Sequence, residues 1–322
     1  VTPADPADGA ARAGSPRAIG VTGASGFLGG ALARLLESRG ERVVRFVRGR
    51  EAGPGEVAWD PARGLLDPAA LAGLDAVVHL SGAGLADAPW TPARRRVLVE
   101  SRVESTALLA HALAGCRGRP RVLVSTSAVG WYGDRGDETL DESSAPGTGF
   151  LAELAQRWES AAEPAVRAGL RVVHPRLGIV LSPGEGALGP LVRLFRLGLG
   201  GPLGNGRAWW SWVGLEDVLG MLLFAIALDE LTGPFNAVAP EPVRQADFAR
   251  ALGRALGRPS WLPAPAFALR AVLGRDRADQ MLLASQRVRP SVLERAGFRW
   301  RGPALGPLLE RLFVRPRLEP VG

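Results

Sequence analysis

Lysine is absent from this 322-residue chain, so every one of its 39 basic residues is an arginine. The single cysteine, Cys116, excludes an intrachain disulfide, and its neighbours Gly115 and Arg117 do not suggest a catalytic thiol. His79, His111 and His174 are widely spaced, so no metal-ligand cluster is visible. Tyrosine occurs once, as Tyr132. The longest apolar run, residues 218–228, lies between Asp217 and Asp229. It falls short of the ~20 residues needed to span a bilayer. The first 17 residues are rich in Ala, Pro, Gly and Asp and lack the apolar core of a signal peptide. They read as a disordered tail. These absences predict a cytoplasmic protein without a membrane partner.

What is present begins with charge and core. A hydrophobic content of 47% suffices for one large domain or two coupled ones. The net charge of +7 raises the question of nucleic acid. The arginines, however, are spread along the chain and usually alternate with acidic or apolar residues. The densest cluster, Arg94-Arg95-Arg96, precedes Glu100 and Glu104 on a predicted helix and reads as a solvated face. No nucleic-acid motif accompanies the charge, so the expected partner is a small-molecule substrate, with the chain a monomer or homodimer.

The most informative stretch is Thr22-Gly23-Ala24-Ser25-Gly26-Phe27-Leu28-Gly29. It follows a short apolar run (Ala18, Ile19, Val21) and opens a helical pattern (Leu28, Leu32, Leu35, Leu36). Strand, glycine turn and helix in that order make a dinucleotide cradle. Gly23 permits the tight turn, Gly26 lets the backbone approach a pyrophosphate, and Gly29 allows close packing of the helix. The helix N-terminus offers amide donors and a positive dipole end to phosphates.

Strand-like and helix-like segments alternate to about residue 181. Strands are predicted at Val43–Val47, Val57–Trp59, Ala76–Leu80, Val122–Val124, Arg171–Val173 and Gly178–Leu181. Helices are predicted at Pro92–Leu113, with Thr91 as N-cap, and at Phe150–Ala168, with a kink at Pro164. This alternation predicts an α/β fold, a Rossmann-type doubly wound parallel sheet over residues 18–181. Residues 182–322, rich in Pro and Gly and with Trp209, Trp210 and Trp212 clustered, predict a smaller C-terminal α/β substrate lobe. Phe235–Val238 is a candidate return strand to the main sheet. Substrate would lie between the lobes.

The glycine turn, His79-Leu80-Ser81-Gly82-Ala83 and Val124-Ser125-Thr126-Ser127-Ala128 resemble motifs of the extended short-chain dehydrogenase/reductase superfamily. More narrowly, the chain resembles its atypical, sugar-nucleotide-epimerase-like branch of epimerase family proteins with their own C-terminal domain. Matching stretches are SRVEST at 101–106, GWYGD at 130–134, GGPLGNGR at 200–207, WSWV at 210–213, FNAVAPEP at 235–242 and QRVRP at 286–290. The resemblance implies a cofactor site at Gly23, Ser25, Gly26, Phe27, Leu28 and Gly29, continued by Leu80, Ser81, Gly82, Ala83, Arg102, Ser125 and Arg176.

A fold of this kind that prefers NAD(H) usually has an acid at the end of its second strand. Here that strand ends Phe46-Val47-Arg48-Gly49-Arg50. Arg48 or Arg50 would suit a 2′-phosphate, so NADP(H) is expected over NAD(H).

Typical superfamily members pair a tyrosine with a lysine four residues later, the lysine lowering the phenol's pKa. Ser127 matches the family's serine, but Phe150 and Leu154 stand where Tyr and Lys would be. The candidate catalytic groups are therefore Ser127 and Tyr132, with Tyr132 read either as a proton donor or as a packed loop residue. Arg176 is read as contacting cofactor or pairing with an acid. Arg207, Trp210 and Trp212 are read as lining a substrate pocket or a packing seam between lobes. Two functions follow. One is an NADP(H)-dependent oxidoreductase or epimerase-like enzyme acting on a small carbonyl or nucleotide-sugar-like substrate. The other is a non-catalytic NADP(H) sensor.

Overall fold

A computed structural model describes residues 17–313. Of the expected tail it shows only Arg17, whose backbone and side chain bind Glu41; the rest lies outside the described residues. The first strand, β1 (Ala18–Thr22), is wholly buried and runs through the glycine turn into α1 (Phe27–Ser38). β2 (Arg42–Val47) and β3 (Glu56–Asp60) follow in parallel, and β4 (Leu65–Leu66) closes that edge antiparallel. β5 (Ala76–His79) pairs with the other side of β1.

The helix predicted over Pro92–Leu113 is built of α2 (Pro92–Val99), a π-helical turn (Glu100–Glu104) and α3 (Ser105–Gly115). Thr91 caps it by accepting the Arg94 amide. π-Turns of this kind occur mostly inside α-helices, and frequently at functional sites. β6 (Val122–Ser125) is followed by β7 (Ser127–Ala128) and β8 (Thr139–Leu140). The helix predicted over Phe150–Ala168 is interrupted rather than kinked, as α4 (Phe150–Ser160) and α5 (Glu163–Arg167). Pro164 lacks an N–H and fits only the first turn of a new helix. β9 (Arg171–Leu177) completes this half.

The remaining chain adds β10 (Ile179–Ser182), β11 (Glu185–Gly186), α6 (Leu188–Arg196), β12 (Trp209–Trp210), β13 (Trp212–Gly214) and α7 (Leu215–Ala227). β14 (Gly233–Ala237) then returns to the main sheet in parallel with β9. β15 (Val243–Arg244), α8 (Gln245–Leu256), α9 (Ala266–Leu273) and α10 (Arg275–Arg277) precede a second π-turn (Ala278–Leu283). β16 (Arg287–Val288), α11 (Ser291–Arg295) and α12 (Leu305–Phe313) end the described chain.

The main sheet runs β14-β9-β6-β5-β1-β2-β3-β4. Its strands alternate between two cores. Ile19, Val21, Ala76, Val78, Val122 and Val124 face α1 and α7. Ala18, Val77, Leu123 and Val172 face α3 and α5. This period of two is what a sheet covered by helices on both faces requires. A third core, with Trp210, Trp212, Phe248 and Leu309, gathers side chains from β10 to α12. Strand order reverses between β1 and β5, so a ligand crevice opens at their carboxyl ends.

Candidate active site

Local geometry fixes the glycine turn at that crevice. Gly23 has φ +67°, and a Cβ there would lie 2.9 Å from the Leu80 carbonyl oxygen. A Cβ on Gly29 would lie 2.1 Å from the Gly23 oxygen, so α1 seats on the turn itself. Ser25 and Gly26 are exposed at the tip. The Gly26 amide closes the turn onto the Gly23 carbonyl, and the Gly30 amide donates to the Gly26 carbonyl. The amides between them have no acceptor one turn back. No side chain caps the helix and no acid occupies its first turn. The cradle therefore suits an anion. Phe27 packs against Gly186 of β11, and Leu28 packs on the α1-side core.

A buried chain of hydrogen bonds ties this turn to the next loop. Ser105 Oγ–H donates to the Ser101 carbonyl (2.8 Å), so His79 Nε2–H must donate to Ser105 Oγ (3.3 Å). His79 Nδ1 is then the acceptor for the Thr22 hydroxyl (2.7 Å), which itself accepts the Leu80 amide (3.0 Å). Burial holds the His79 pKa down at about 3, so the ring is neutral. After β5, Ser81 is buried and Gly82 exposed. Ser101 and Arg102, on the π-turn, clamp Ala83. Ser101 Oγ accepts its amide (3.1 Å) and Arg102 donates to its carbonyl (2.9 Å).

Arg102 is 9% exposed. It donates also to the Leu98 carbonyl and lies over the Trp158 ring at 5.3 Å. It has no carboxylate partner among the described residues, and burial, with Arg94 nearby, lowers its pKa to about 10. A Cβ on Gly82 would touch its guanidinium at 3.1 Å. A buried cation without a counter-charge is costly, and an anionic ligand at Gly82 would relieve that cost.

At the end of β6, Ser125 and Ser127 are buried, and both hydroxyls lack hydrogen-bond partners among the described residues. Thr106 Oγ1 and Trp158 Nε1 share that condition. Polar groups left so in a fold are candidates for ligand contact. Phe150 and Leu154, the positions where the resemblance leads one to expect Tyr and Lys, are packed. Phe150 meets Trp90 edge-on at 5.2 Å and lies under Arg95, while Leu154 is buried.

The surroundings of Tyr132, Arg176, Trp210 and Trp212 match the packing or pairing alternative expected for each. Tyr132 is fully buried: its hydroxyl donates to Asn236 Oδ1 (2.7 Å) and accepts from Arg176 (3.0 Å). Burial raises its pKa to about 12. Arg176 pairs with an acid: it is 2% exposed, forms a two-pronged ion pair with Glu159 (2.8 and 2.9 Å) and stacks on Trp131 at 3.9 Å. Trp210 and Trp212 are core residues, their indole N–H groups donating to the Leu282 and Glu241 carbonyls. Arg50 is bound to Glu56 through both terminal nitrogens, which holds that carboxyl at about 2.

Arg48, by contrast, is exposed and has no partner among the described residues. Arg207 is exposed too, on the loop that leads into β12. His174 donates through Nδ1 to the Ser125 carbonyl, a satisfied buried histidine.

Sequence reading missed Gln280. Its Oε1 accepts the Leu151 amide (2.9 Å) and caps α4 from the C-terminal lobe. It also missed Glu142, whose Oε1 accepts the Asn236 and Val292 amides. Neither sits in a local motif, and only the long-range fold brings them into place.

The NAD dependent epimerase/dehydratase family model matches residues 19–237, and a domain of unknown function (DUF1731) matches residues 264–312. The epimerase family protein Mb2239 of Mycobacterium bovis is 43% identical over 298 residues, covering 92% of this chain and 98% of that protein. The crystal structure of human epimerase family protein SDR39U1 (isoform 2) with NADPH superposes with a TM-score of 0.83 at 35% identity, covering 92% of this chain and 98% of that one. A nucleoside-diphosphate sugar epimerase from Corynebacterium glutamicum superposes with a TM-score of 0.77 at 35% identity, covering 93% of this chain and 58% of that one. The glycine turn, the strand order and these matches agree: the chain belongs to the NAD-dependent epimerase/dehydratase family.

Proposed function

We propose that the protein is an NADP(H)-dependent oxidoreductase or epimerase-like enzyme acting on a small carbonyl or nucleotide-sugar-like substrate, without a Tyr/Lys pair. The observation that carries this reading is Arg102, a buried guanidinium without a counter-charge among the described residues, held against Gly82 and Ala83 in the loop that packs on the glycine turn. It suits a cofactor phosphate. Arg48 suits the 2′-phosphate, being the arginine after β2 that no acid among the described residues holds. NADPH bound in the human relative's structure supports the same choice. The nicotinamide would supply hydride chemistry. The chain's own part is to orient substrate, to exclude water, and to offer the unpartnered Ser127 hydroxyl to a substrate oxygen. Tyr132 is assigned to structure.

NADPH should raise the melting temperature far more than NADH at equal concentration, and Arg48→Ala should erase that difference. Equal shifts in the parent protein would overturn the NADP(H) assignment. Carbonyl, enone and nucleotide-sugar substrates, followed by NADPH absorbance, should reveal turnover that Ser127→Ala abolishes. A second reading, an NADP(H) sensor without turnover, rests on Phe150 and Leu154 packing where the proton relay would stand. Tight NADPH binding with no turnover across that set would establish it instead.

A further inference from the structure

Charge and apolar exposure coincide on one face of the C-terminal lobe. Residues 186–215 and 248–275 contain eight arginines and no acidic residue. The rest of the chain holds 31 basic and 32 acidic residues, so these two segments carry the whole positive excess. The fold joins them: the Leu262 amide donates to the Gly200 carbonyl, the Ala264 amide to Pro202, and the Gly204 amide to Ala264. Along this seam stand Leu197 (73% exposed), Leu199 (52%), Trp261 (74%) and Leu262 (39%). Phe267 (74%) and Val272 (82%) follow on α9, a helix with no buried residue. Trp261 is the only exposed tryptophan among the described residues. Arg193, Arg196, Arg254 and Arg258 flank the apolar side chains, and none has an anionic partner among the described residues. Arg254 and Arg258 line a surface recess with Arg250; Arg250 is paired with Asp247, and Arg270 and Arg275 with Asp279, so the unpaired charge of this face rests on the other arginines.

We propose that this face docks on an anionic lipid bilayer surface. The apolar side chains enter the headgroup boundary and the arginines meet lipid phosphates. An exposed apolar patch bordered by cations, with an aromatic residue at its centre, is how interfacial segments bind without spanning. No described helix is long and apolar enough to cross a membrane, and docking on the surface requires none.

The test is co-sedimentation of the full chain with vesicles of phosphatidylcholine alone, or mixed with phosphatidylglycerol. Binding is expected only to the mixed vesicles, with Trp261 emission shifted to the blue. Arg193→Glu/Arg196→Glu should weaken it by at least about thirtyfold, and Trp261→Ser/Phe267→Ser should abolish it. Both variants change exposed side chains and should keep the parent melting temperature and NADPH affinity. No pelleting with either vesicle, or equal pelleting with both, overturns the proposal. So does vesicle binding that survives both variants. Binding to single-stranded DNA that needs the arginines but not Trp261 and Phe267 would overturn it in favour of a nucleic acid. A dimer broken by Trp261→Ser/Phe267→Ser, without vesicle binding, would assign the face to a second copy.

Discussion

The carboxyl end of β1 and the carboxyl end of β6 face one crevice but are built in opposite ways. At β1 the turn is kept open: Gly23 and Gly29 have no room for a side chain, and the tip at Ser25 and Gly26 is bare. At β6 the surroundings are filled. Phe150 and Leu154 pack in the places of a proton relay, and Tyr132 is sealed beneath Arg176 and Asn236. Holding an anion needs backbone amides in a set geometry, which a turn supplies alone. Moving a proton needs a tuned side chain in contact with substrate, and at β6 the polar groups left without partners among the described residues are the Ser125 and Ser127 hydroxyls.

The largest expected effect breaks the open side of the comparison. Gly29→Ala forces a methyl against the Gly23 carbonyl and should cost about 3 kcal/mol of stability, the upper end for overpacking. Calorimetric titration should show no NADPH binding; parental affinity would show that the turn can shift without loss. Next is Arg102→Met. NADPH affinity should fall about ten- to hundredfold, the range for a charge-assisted contact. Apo stability should hold or rise, because an uncompensated buried cation is removed. A parallel fall in both would make Arg102 a structural residue instead.

Tyr132→Phe probes the filled side. It should cost about 1–2 kcal/mol in urea unfolding, since Asn236 and Arg176 each lose a partner. NADPH affinity and any turnover should stay near parental, and a selective loss of turnover would return Tyr132 to the chemistry. At neutral pH the smallest effect concerns His79, because it is felt only in acid. Its pKa falls from 6.5 in the unfolded chain to about 3 in the fold. Between these values the unfolded state takes up a proton that the folded state refuses. Its stability contribution is thus complete above 6.5 and is lost at up to about 1.4 kcal/mol per pH unit toward 3. His79→Asn should flatten acid unfolding curves over that window, and an unchanged slope would mean the ring is accessible.

The two sides also differ in how far they can be read from sequence. Gly23 and Gly29 act on each other six positions apart, between a strand and a helix whose periodicities are plain. The sheet was equally legible, because Ile19/Val21 and Val77/Leu123 sort onto opposite faces by simple alternation. The Tyr132 cluster was not. Arg176 reaches Glu159 across 17 residues and Tyr132 across 44, and Tyr132 reaches Asn236 across 104. Nothing local marks an arginine as paired or a tyrosine as buried when its partner comes from another strand. The π-turn was hidden for a different reason: the residues around Arg102 continue a helical pattern, and the extra residue in the turn leaves no compositional trace.

β14 carries a consequence for how the chain is made. The strand that covers the outer edge of β9 is encoded only at Gly233–Ala237, after α6, β13 and α7. A nascent chain emerging N-terminus first therefore exposes β9 with a row of unpaired amides and carbonyls until that later segment leaves the ribosome. Such an edge invites pairing with a neighbouring chain. Truncations ending before residue 233 should aggregate, and the C-terminal half acts in part as the guard of an edge that the N-terminal half cannot close by itself.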